Sequence, residues 1–147
     1  MRIVIDTNVW VSGLLWQGAA WELLRLAEAG RVTVCTTPGI LSELADVLSY
    51  ERLQPRLVQL SLMPAELVGY AMNLASVFEV PLGEPIVLSD PDDDVFLWCG
   101  QAADAAYIVS GDHHLLELDM HAGIPIVTVR DFLAKEFPEE PTWAEAR

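Results

Sequence analysis

Basic side chains are scarce in this 147-residue sequence: 8 Lys and Arg stand against 22 Asp and Glu, which gives a formal net charge of −14 at pH 7. Such a composition is poor for holding nucleic acid by its phosphates alone, because those contacts depend on Lys and Arg. Cysteine is also sparse. Cys35 and Cys99 form no C-x-x-C pair, which excludes a zinc ribbon and a disulfide framework. The longest uncharged run, residues 7–21, is shorter than the roughly 20 apolar residues that span a membrane.

Apolar side chains are what the sequence has in quantity: 52% of its residues are hydrophobic and 20% are charged, which excludes disorder throughout the chain. The length suits one domain with its own core. We expect a single domain over residues 1–137 and a flexible C-terminal tail, rich in Pro and Glu, over residues 138–147. Met1 leads into strand-like sequence without a targeting segment, so we expect a cytoplasmic protein whose two cysteines are reduced core thiols.

β-Branched apolar runs alternate with helical periodicities along the chain. Strands are predicted at residues 2–5, 31–35, 107–109 and 125–129, with weaker candidates at 77–80 and 86–88. Helices are predicted at residues 9–18, 19–29, 38–48, two pieces of 52–78, 90–103, 113–118 and 131–137. This order predicts an α/β domain, a three-layer α/β/α sandwich with a largely parallel central sheet.

Four acidic residues are predicted to meet at one edge of that sheet. Asp6 directly follows the first strand, and Asp112 follows the strand that ends at Val109. The carboxyl ends of parallel strands share an edge, and ligands bind there. Asp94 opens the helix before that later strand, and Glu43 lies about 100° from the centre of its helix's apolar stripe, at the margin of the buried face. Taken singly, the aspartates could cap helices and Glu43 could be a solvated helix residue.

Four converging carboxylates are harder to explain as separate caps. Two of them about 5 Å apart repel by about 3 kcal/mol at an effective dielectric constant of about 20. A protein that gathers four either protonates some of them or binds a hard cation. Oxygen ligands without cysteine favour Mg²⁺ or Mn²⁺. The pattern therefore predicts a metal site at this edge of the sheet.

The same residues resemble the motifs of a known family. The sequence VIDTN at residues 4–8 is similar to the opening motif of PIN-domain ribonucleases, and SEL at residues 42–44 falls in the helix where that family has an acidic residue. DVFL at residues 94–97, an Ala-rich helix and IVSGD at residues 108–112 resemble its closing motifs. The resemblance extends from Arg2 to about Phe137 and is greatest to the bacterial and archaeal group of toxin components of toxin–antitoxin systems.

The resemblance implies an activity and a site. The protein would hydrolyse RNA phosphodiester bonds with one or two Mg²⁺ or Mn²⁺ ions. The catalytic and metal-binding residues would be Asp6, Glu43, Asp94 and Asp112. The supporting residues would be Thr7, Asn8, Ser110 and Asp93. Asp94 takes the motif position because an apolar pair follows it, as in the family, and Asp93 is the alternative ligand.

The resemblance also implies partners. They are an RNA substrate, a cognate antitoxin that blocks the acidic edge, and a second copy of the chain in a homodimer. An antitoxin arginine inserted among the carboxylates would suit such a block. For backbone phosphates the chain offers five arginines, which could equally lie on solvated faces: Arg25, Arg31, Arg52, Arg56 and Arg130.

Two other functions stay open. A haloacid dehalogenase-like phosphatase would share an Asp after the first strand and a Gly-Asp pair later. It needs a second Asp where Asn8 stands and a Lys between its motifs, whereas the single lysine is Lys135, after both. A non-catalytic interaction module with a PIN fold would keep the architecture and bind no metal.

Overall fold

Six strands and eight α-helices alternate in the computed structural model, which describes residues 1–79 and 93–139. The strands are β1 (Arg2–Ile5), β2 (Thr33–Thr36), β3 (Ser76–Val77), β4 (Tyr107–Val109), β5 (Met120–His121) and β6 (Ile124–Val127). The helices are α1 (Thr7–Leu15), α2 (Ala19–Glu28), α3 (Pro38–Leu48), α4 (Gln54–Leu60), α5 (Pro64–Leu74), α6 (Asp94–Ala103), α7 (His113–Leu118) and α8 (Val129–Glu136). A 3₁₀ turn, Glu51–Leu53, precedes α4. The strand candidate at 86–88, the acidic residues 90–92 and the tail from residue 140 lie outside the described residues.

The strands form one sheet in the order β3-β2-β1-β4-β6-β5. Every pairing is parallel except β5 with β6, which is antiparallel. Parallel neighbours must be joined by crossovers, and the helices between them supply these. The predicted α/β/α sandwich with a largely parallel sheet is thus confirmed.

β1 lies at the centre of this sheet and is covered on both faces. Ile3, Val4 and Ile5 each expose none of their surface. Because successive strand side chains point to opposite faces, three buried residues in a row require packing on both sides of the sheet. α6 packs across β1, β2 and β4. The buried core therefore fixes β1 and β4 side by side, with their carboxyl ends at the same edge.

Three predicted strands have other bounds in the structure, among them β3, which is Ser76–Val77 rather than 77–80. β2 begins at Thr33 rather than at residue 31, because the pairing with β1 starts at Arg2 opposite Thr33. β6 ends at Val127, since the Thr128 hydroxyl accepts a hydrogen bond from the Asp131 amide at 3.1 Å and caps α8. Side-chain caps of this kind stop the strand and start the helix.

Gly13 lies where α1 and α2 pack closely. A Cβ on this residue would lie 2.7 Å from Leu24 Cδ1 and 2.9 Å from the Ala20 carbonyl oxygen. Gly69, inside α5, differs: a Cβ there would have no neighbour within 4 Å among the described residues. The same Gly→Ala substitution at the two positions therefore compares a crowded helical site with an open one.

We expect Gly13→Ala to lower the thermal stability and Gly69→Ala to raise it. Overpacking typically costs about 1–3 kcal/mol, whereas replacing an unhindered helical Gly by Ala gains about 0.5–1 kcal/mol. Thermal unfolding followed by circular dichroism measures both. A Gly13→Ala protein as stable as wild type would contradict the close packing of α1 on α2.

Both cysteines are free and fully buried, as the sequence predicts. Burial raises the pKa of Cys35, and it raises the pKa of Cys99 to about 12. Neither thiol ionises at neutral pH, so both behave as core side chains.

In residues 1–79 and 93–139, the helices all fall short of the length and apolarity that crossing a bilayer requires.

Candidate active site

The carboxyl ends of β1 and β4 bring Asp6 and Ser110 together. Ile5 pairs with Val109 in the sheet, and the Asp6 amide donates to the Val109 carbonyl oxygen at 3.1 Å. The residues that follow this pair, Asp6 and Ser110, therefore lie next to each other at the carboxyl edge of the sheet. The Ser110 hydroxyl donates to Asp6 Oδ2 at 2.5 Å, and neither residue is exposed beyond 3%.

Both carboxylate oxygens of Asp6 accept hydrogen bonds. Oδ1 accepts from the Val9 amide at 2.8 Å, which makes Asp6 the N-cap of α1. Oδ2 accepts from the Ser110 hydroxyl and, at 3.3 Å, from the Gly111 amide. An ionised carboxylate offers about four lone-pair sites, and these bonds use three of them, so Oδ1 keeps further acceptor capacity. Asp6 is thus held in one orientation and can still bind a cation.

Burial raises the pKa of Asp6 above the ordinary value of an aspartate, and the Asp112 carboxylate raises it further. The hydrogen bonds from Ser110, Val9 and Gly111 favour the charged form and oppose this shift without cancelling it. A buried acid of this kind ionises most readily beside a positive charge. The electrostatics of Asp6 therefore suit a cation partner.

Asp112 is positioned by the loop that follows β4. Its amide donates to Ser110 Oγ at 2.9 Å, and its Oδ1 accepts from the His114 amide at 2.8 Å as the N-cap of α7. The Ser110 hydroxyl therefore links Asp112 to Asp6. The capping role that the sequence also allowed is real, and it fixes the carboxylate at the edge of the sheet.

Glu43 reaches the same edge from α3. The residues of α3 that bury their side chains are Ile40, Leu41, Leu44 and Leu48. Glu43 is half-buried at the margin of that face, as its helical position predicts. The Thr7 hydroxyl donates to Glu43 Oε2 at 2.6 Å, so the residue after Asp6 orients the carboxylate from the neighbouring helix.

The two adjacent aspartates at the start of α6 take different positions. Asp93 is the N-cap residue and is 7% exposed, while Asp94 is the first helical residue and is 1% exposed. Neighbouring helical residues point about 100° apart. As a result Asp93 lines a cavity with Asp6, Glu43 and Asp112, and Asp94 is not among the residues of that lining.

This acidic cavity has a volume of about 190 Å³. Its described lining consists of Asp6, Thr7, Asn8, Glu43, Val47, Asp93, Phe96 and Asp112. At about 30 Å³ per water molecule, the space holds about six waters, enough for a hydrated cation. Its charged groups are all carboxylates, the ligands that Mg²⁺ and Mn²⁺ prefer. The donor set and the space thus fit a hard divalent cation.

The structure brings together three of the four acids assigned from the sequence, Asp6, Glu43 and Asp112, with Asp93 as the fourth. Of the supporting residues, Thr7 and Asn8 line the cavity, and Ser110 bonds Asp6 from behind it. Sequence reasoning missed two apolar members, Val47 and Phe96. The signal for both was helical spacing, since they stand one turn after Glu43 and Asp93.

Two of the five arginines proposed for phosphate contacts bond to other parts of the fold. Arg25 pairs with Glu28 at 2.6 Å and donates to the Tyr70 hydroxyl. Arg56 donates to the Leu15 carbonyl oxygen at 2.7 Å. Arg130, at the start of α8, instead lines a second cavity beside the acidic one.

Two histidines follow Asp112 in α7. One ligand atom each from Asp112, His113 and His114 lies within 4.8 Å of the others, and the two rings are 4.1 Å apart. His113 is exposed and His114 is half-buried. These imidazoles lie beside the acidic cavity and are not part of its described lining.

Comparison with known proteins gives a family. No curated protein sequence matches the chain. A similar solved structure is a chain of VapBC2 from Rickettsia felis, crystallised bound to a DNA fragment from their promoter. It is 11% identical, with a TM-score of 0.55 over 86% of this chain and 97% of that one, so it shows the fold alone. Residues 2–114 match the sequence model of the PIN domain. Because that match spans most of the chain, the protein belongs to the PIN domain family, a family of nucleases.

Proposed function

We propose that this PIN-type nuclease is a ribonuclease that hydrolyses RNA phosphodiester bonds with Mg²⁺ or Mn²⁺. One observation carries the proposal: four carboxylates from β1, α3, the start of α6 and the β4–α7 loop line a single cavity of about 190 Å³. Four like charges at one place are unfavourable without a cation. Family membership supports the nuclease chemistry.

The carboxylates of Asp6, Glu43, Asp93 and Asp112 would hold the metal. We therefore assign the fourth acidic position to Asp93, which lines the cavity, rather than to Asp94. When bound, Mg²⁺ or Mn²⁺ lowers the pKa of a water ligand and neutralises charge on a phosphodiester. The rest of the site positions these acids.

The hydrogen bonds around the acids keep them in place without a change of conformation. Val9 and Ser110 hold the two oxygens of Asp6, and Thr7 holds Glu43. Donors fixed in this way lower the reorganisation needed when the charge of the site changes. Asn8, exposed at the mouth of the cavity, is placed to donate to a phosphate oxygen.

The metal would also explain how a chain with a net charge of −14 binds a polyanion. Without a cation the acidic cavity repels phosphate, and with one the local sign is reversed. Substrate binding should therefore depend on metal and on salt, and remain weak without metal.

A toxin–antitoxin role is the biological context that we infer. The structural neighbour from Rickettsia felis belongs to a VapBC2 complex bound to promoter DNA, and the sequence resembles PIN toxins. We propose that a cognate antitoxin blocks the acidic cavity, with an arginine among the carboxylates, that the chain forms a homodimer, and that it acts in the cytoplasm.

Metal titration tests the proposed nuclease activity. We expect cleavage of a mixed-sequence RNA with Mg²⁺ or Mn²⁺ and none in EDTA. At a metal concentration about 100-fold above Kd, binding stabilises the fold by about 2.7 kcal/mol. At about 2–4 °C per kcal/mol for a domain of this size, Tm should rise by about 5–11 °C.

Glu43→Gln should remove the activity and most of this rise in Tm. Glu51→Gln, which makes the same change at an exposed position, should retain both. Full cleavage in EDTA would overturn the proposal, and unchanged metal stabilisation in Glu43→Gln would remove Glu43 from the site. A non-catalytic module is indicated if no metal binds.

A further inference from the structure

A second cavity, of about 300 Å³, adjoins the acidic one. Its walls come from α1, the start of α2, the β4–α7 loop and the start of α8, and we name it the Arg130 cleft after the basic residue in its lining. That volume lies at the lower end of the range for small-molecule sites. It is large enough for one nucleotide.

The two cavities are neighbours in the structure. Asn8 lines both of them. Ser110 lines the Arg130 cleft and donates to Asp6 in the acidic cavity at 2.5 Å. A chain with its phosphodiester at the carboxylates would therefore place its next nucleotide close to the cleft.

The walls of the Arg130 cleft combine apolar and polar groups. Ala20 and Val129 present apolar surface, while Ser12 offers a hydroxyl. A nucleobase has the complementary chemistry, with apolar faces and polar edges. An apolar cleft beside a charged one is thus suited to a base attached to a phosphate.

Arg130 is distinguished from the other arginines by its place. It is exposed and stands in the first turn of α8, at the carboxyl edge of the sheet. Arg31 lies at the opposite edge, two residues before the amino end of β2, with its guanidinium over the Phe137 ring. Arg130 therefore lines a cavity that neighbours the acidic one.

We propose that the Arg130 cleft holds the nucleotide next to the scissile phosphodiester of a single-stranded RNA, and that Arg130 binds the neighbouring phosphate. This inference rests on the proposed ribonuclease function. It makes Arg130 a substrate-binding residue and Ser12 part of the wall that faces the base. An unpaired strand is required, because the base must leave its stack to enter.

Two substrates separate this subsite from the catalytic centre. An RNA oligonucleotide fills both cavities, whereas bis(p-nitrophenyl) phosphate offers a phosphodiester without a neighbouring phosphate. We expect Arg130→Gln and the cleft-filling Ser12→Trp to reduce kcat/KM for RNA by at least about tenfold and to leave kcat/KM for the small diester unchanged. Arg130→Gln should also make the dependence of log(kcat/KM) on log[salt] less steep, by about 0.7 for one lost phosphate contact on a single strand.

Matched variants control for charge and for the substituted position. Arg31→Gln removes the same charge at the far edge and should behave as wild type. Ser12→Ala removes only the hydroxyl and keeps the cleft open, so its loss with RNA should be much smaller than that of Ser12→Trp. Equal losses in Arg31→Gln and Arg130→Gln, or equal losses for both substrates, would overturn the subsite. If wild type cleaves neither substrate, the proposed activity fails. Fluorescence anisotropy with the intact RNA then decides the subsite: weaker binding by Arg130→Gln supports it, and unchanged binding overturns it.

Discussion

Asp6→Asn should abolish metal-dependent RNA cleavage while the protein stays folded. Changing a residue behind a metal ligand typically costs 10–100-fold in affinity or activity, so a residue that would contact the metal itself should cost more than about 100-fold. The substitution keeps the size of the side chain and removes its charge. The loss would therefore report the missing charge, since the shape of the cavity is preserved.

The hydrogen bonds of Asp6 explain why the fold should survive. Asn is as good an N-cap as Asp, and its oxygen can keep the bond from the Val9 amide seen at 2.8 Å. The Ser110 hydroxyl can rotate to accept from the new amide group. The contact from the Gly111 amide, already long at 3.3 Å, is the one that is lost.

The raised pKa of Asp6 gives the variant a pH signature. Because the folded protein holds this proton more tightly than the unfolded chain, stability without metal decreases as the pH rises from the ordinary aspartate value through the raised one. Asp6→Asn removes this contribution. Without metal, its Tm relative to wild type should therefore be higher at pH 7 than at pH 3.5.

Asp46→Asn is the matched control, because Asp46 is exposed on α3 and the substitution changes the net charge by the same amount as Asp6→Asn. It should retain cleavage and the rise in Tm with Mn²⁺. Thermal melts with and without metal, together with RNA cleavage at saturating Mn²⁺, measure both effects. An Asp6→Asn protein that still cleaves, or that is still stabilised by Mn²⁺ as wild type is, would contradict the assignment.

Several elements of the fold are predictable from the sequence because local and tertiary preferences agree. The apolar runs of β1 and β4 are buried on both faces, so composition and burial point to the same strands. The β5–β6 hairpin was missed. Its turn places Ala122 and Gly123 at φ of 51° and 80°, and Ala gives no sequence signal for positive φ. Only pairing with β6 makes residues 120–121 a strand.

The sequence was sufficient to predict at which edge of the sheet the candidate site lies. Asp6 and Asp112 follow strands whose carboxyl ends share that edge, so topology alone brings them together. Glu43 needed a helical phase as well, and α3 begins where the Thr37 N-cap and Pro38 predict. The Arg130 cleft was not predictable, since its walls come from three regions that are distant in the sequence: the α1–α2 segment, the β4–α7 loop and the start of α8.

The choice between Asp93 and Asp94 shows where sequence reasoning stops. Two adjacent aspartates satisfy the same spacing to Asp112 within one residue, and composition cannot separate them. The first residue of α6 decides which one faces the cavity. α6 begins at Asp94, which leaves Asp93 as the N-cap residue. If the helix began one residue earlier or later, the direction of each side chain would change by about 100°.

Paired substitutions at these two positions have the second large expected effect. Asp93→Asn should lose metal-dependent cleavage by more than about 100-fold and lose the rise in Tm with Mn²⁺, because Asp93 lines the acidic cavity. Asp94→Asn should keep most of the cleavage and the metal response. Its Tm without metal should decrease instead, since it loses a buried carboxylate from the first turn of α6, where the helix dipole alone contributes about 0.3–1 kcal/mol.

The two variants remove one charge each from neighbouring residues, so each is the control for the other. A difference between the two variants in cleavage or metal response therefore reports which of the two side chains points into the acidic cavity. If Asp94→Asn loses cleavage and Asp93→Asn retains it, Asp94 is the ligand, as the apolar pair after it suggests. If both variants lose the metal response while remaining folded, both carboxylates contact the cation. That outcome would favour a site with two metals, because a fifth carboxylate supplies more oxygen ligands than a single Mg²⁺ takes from protein.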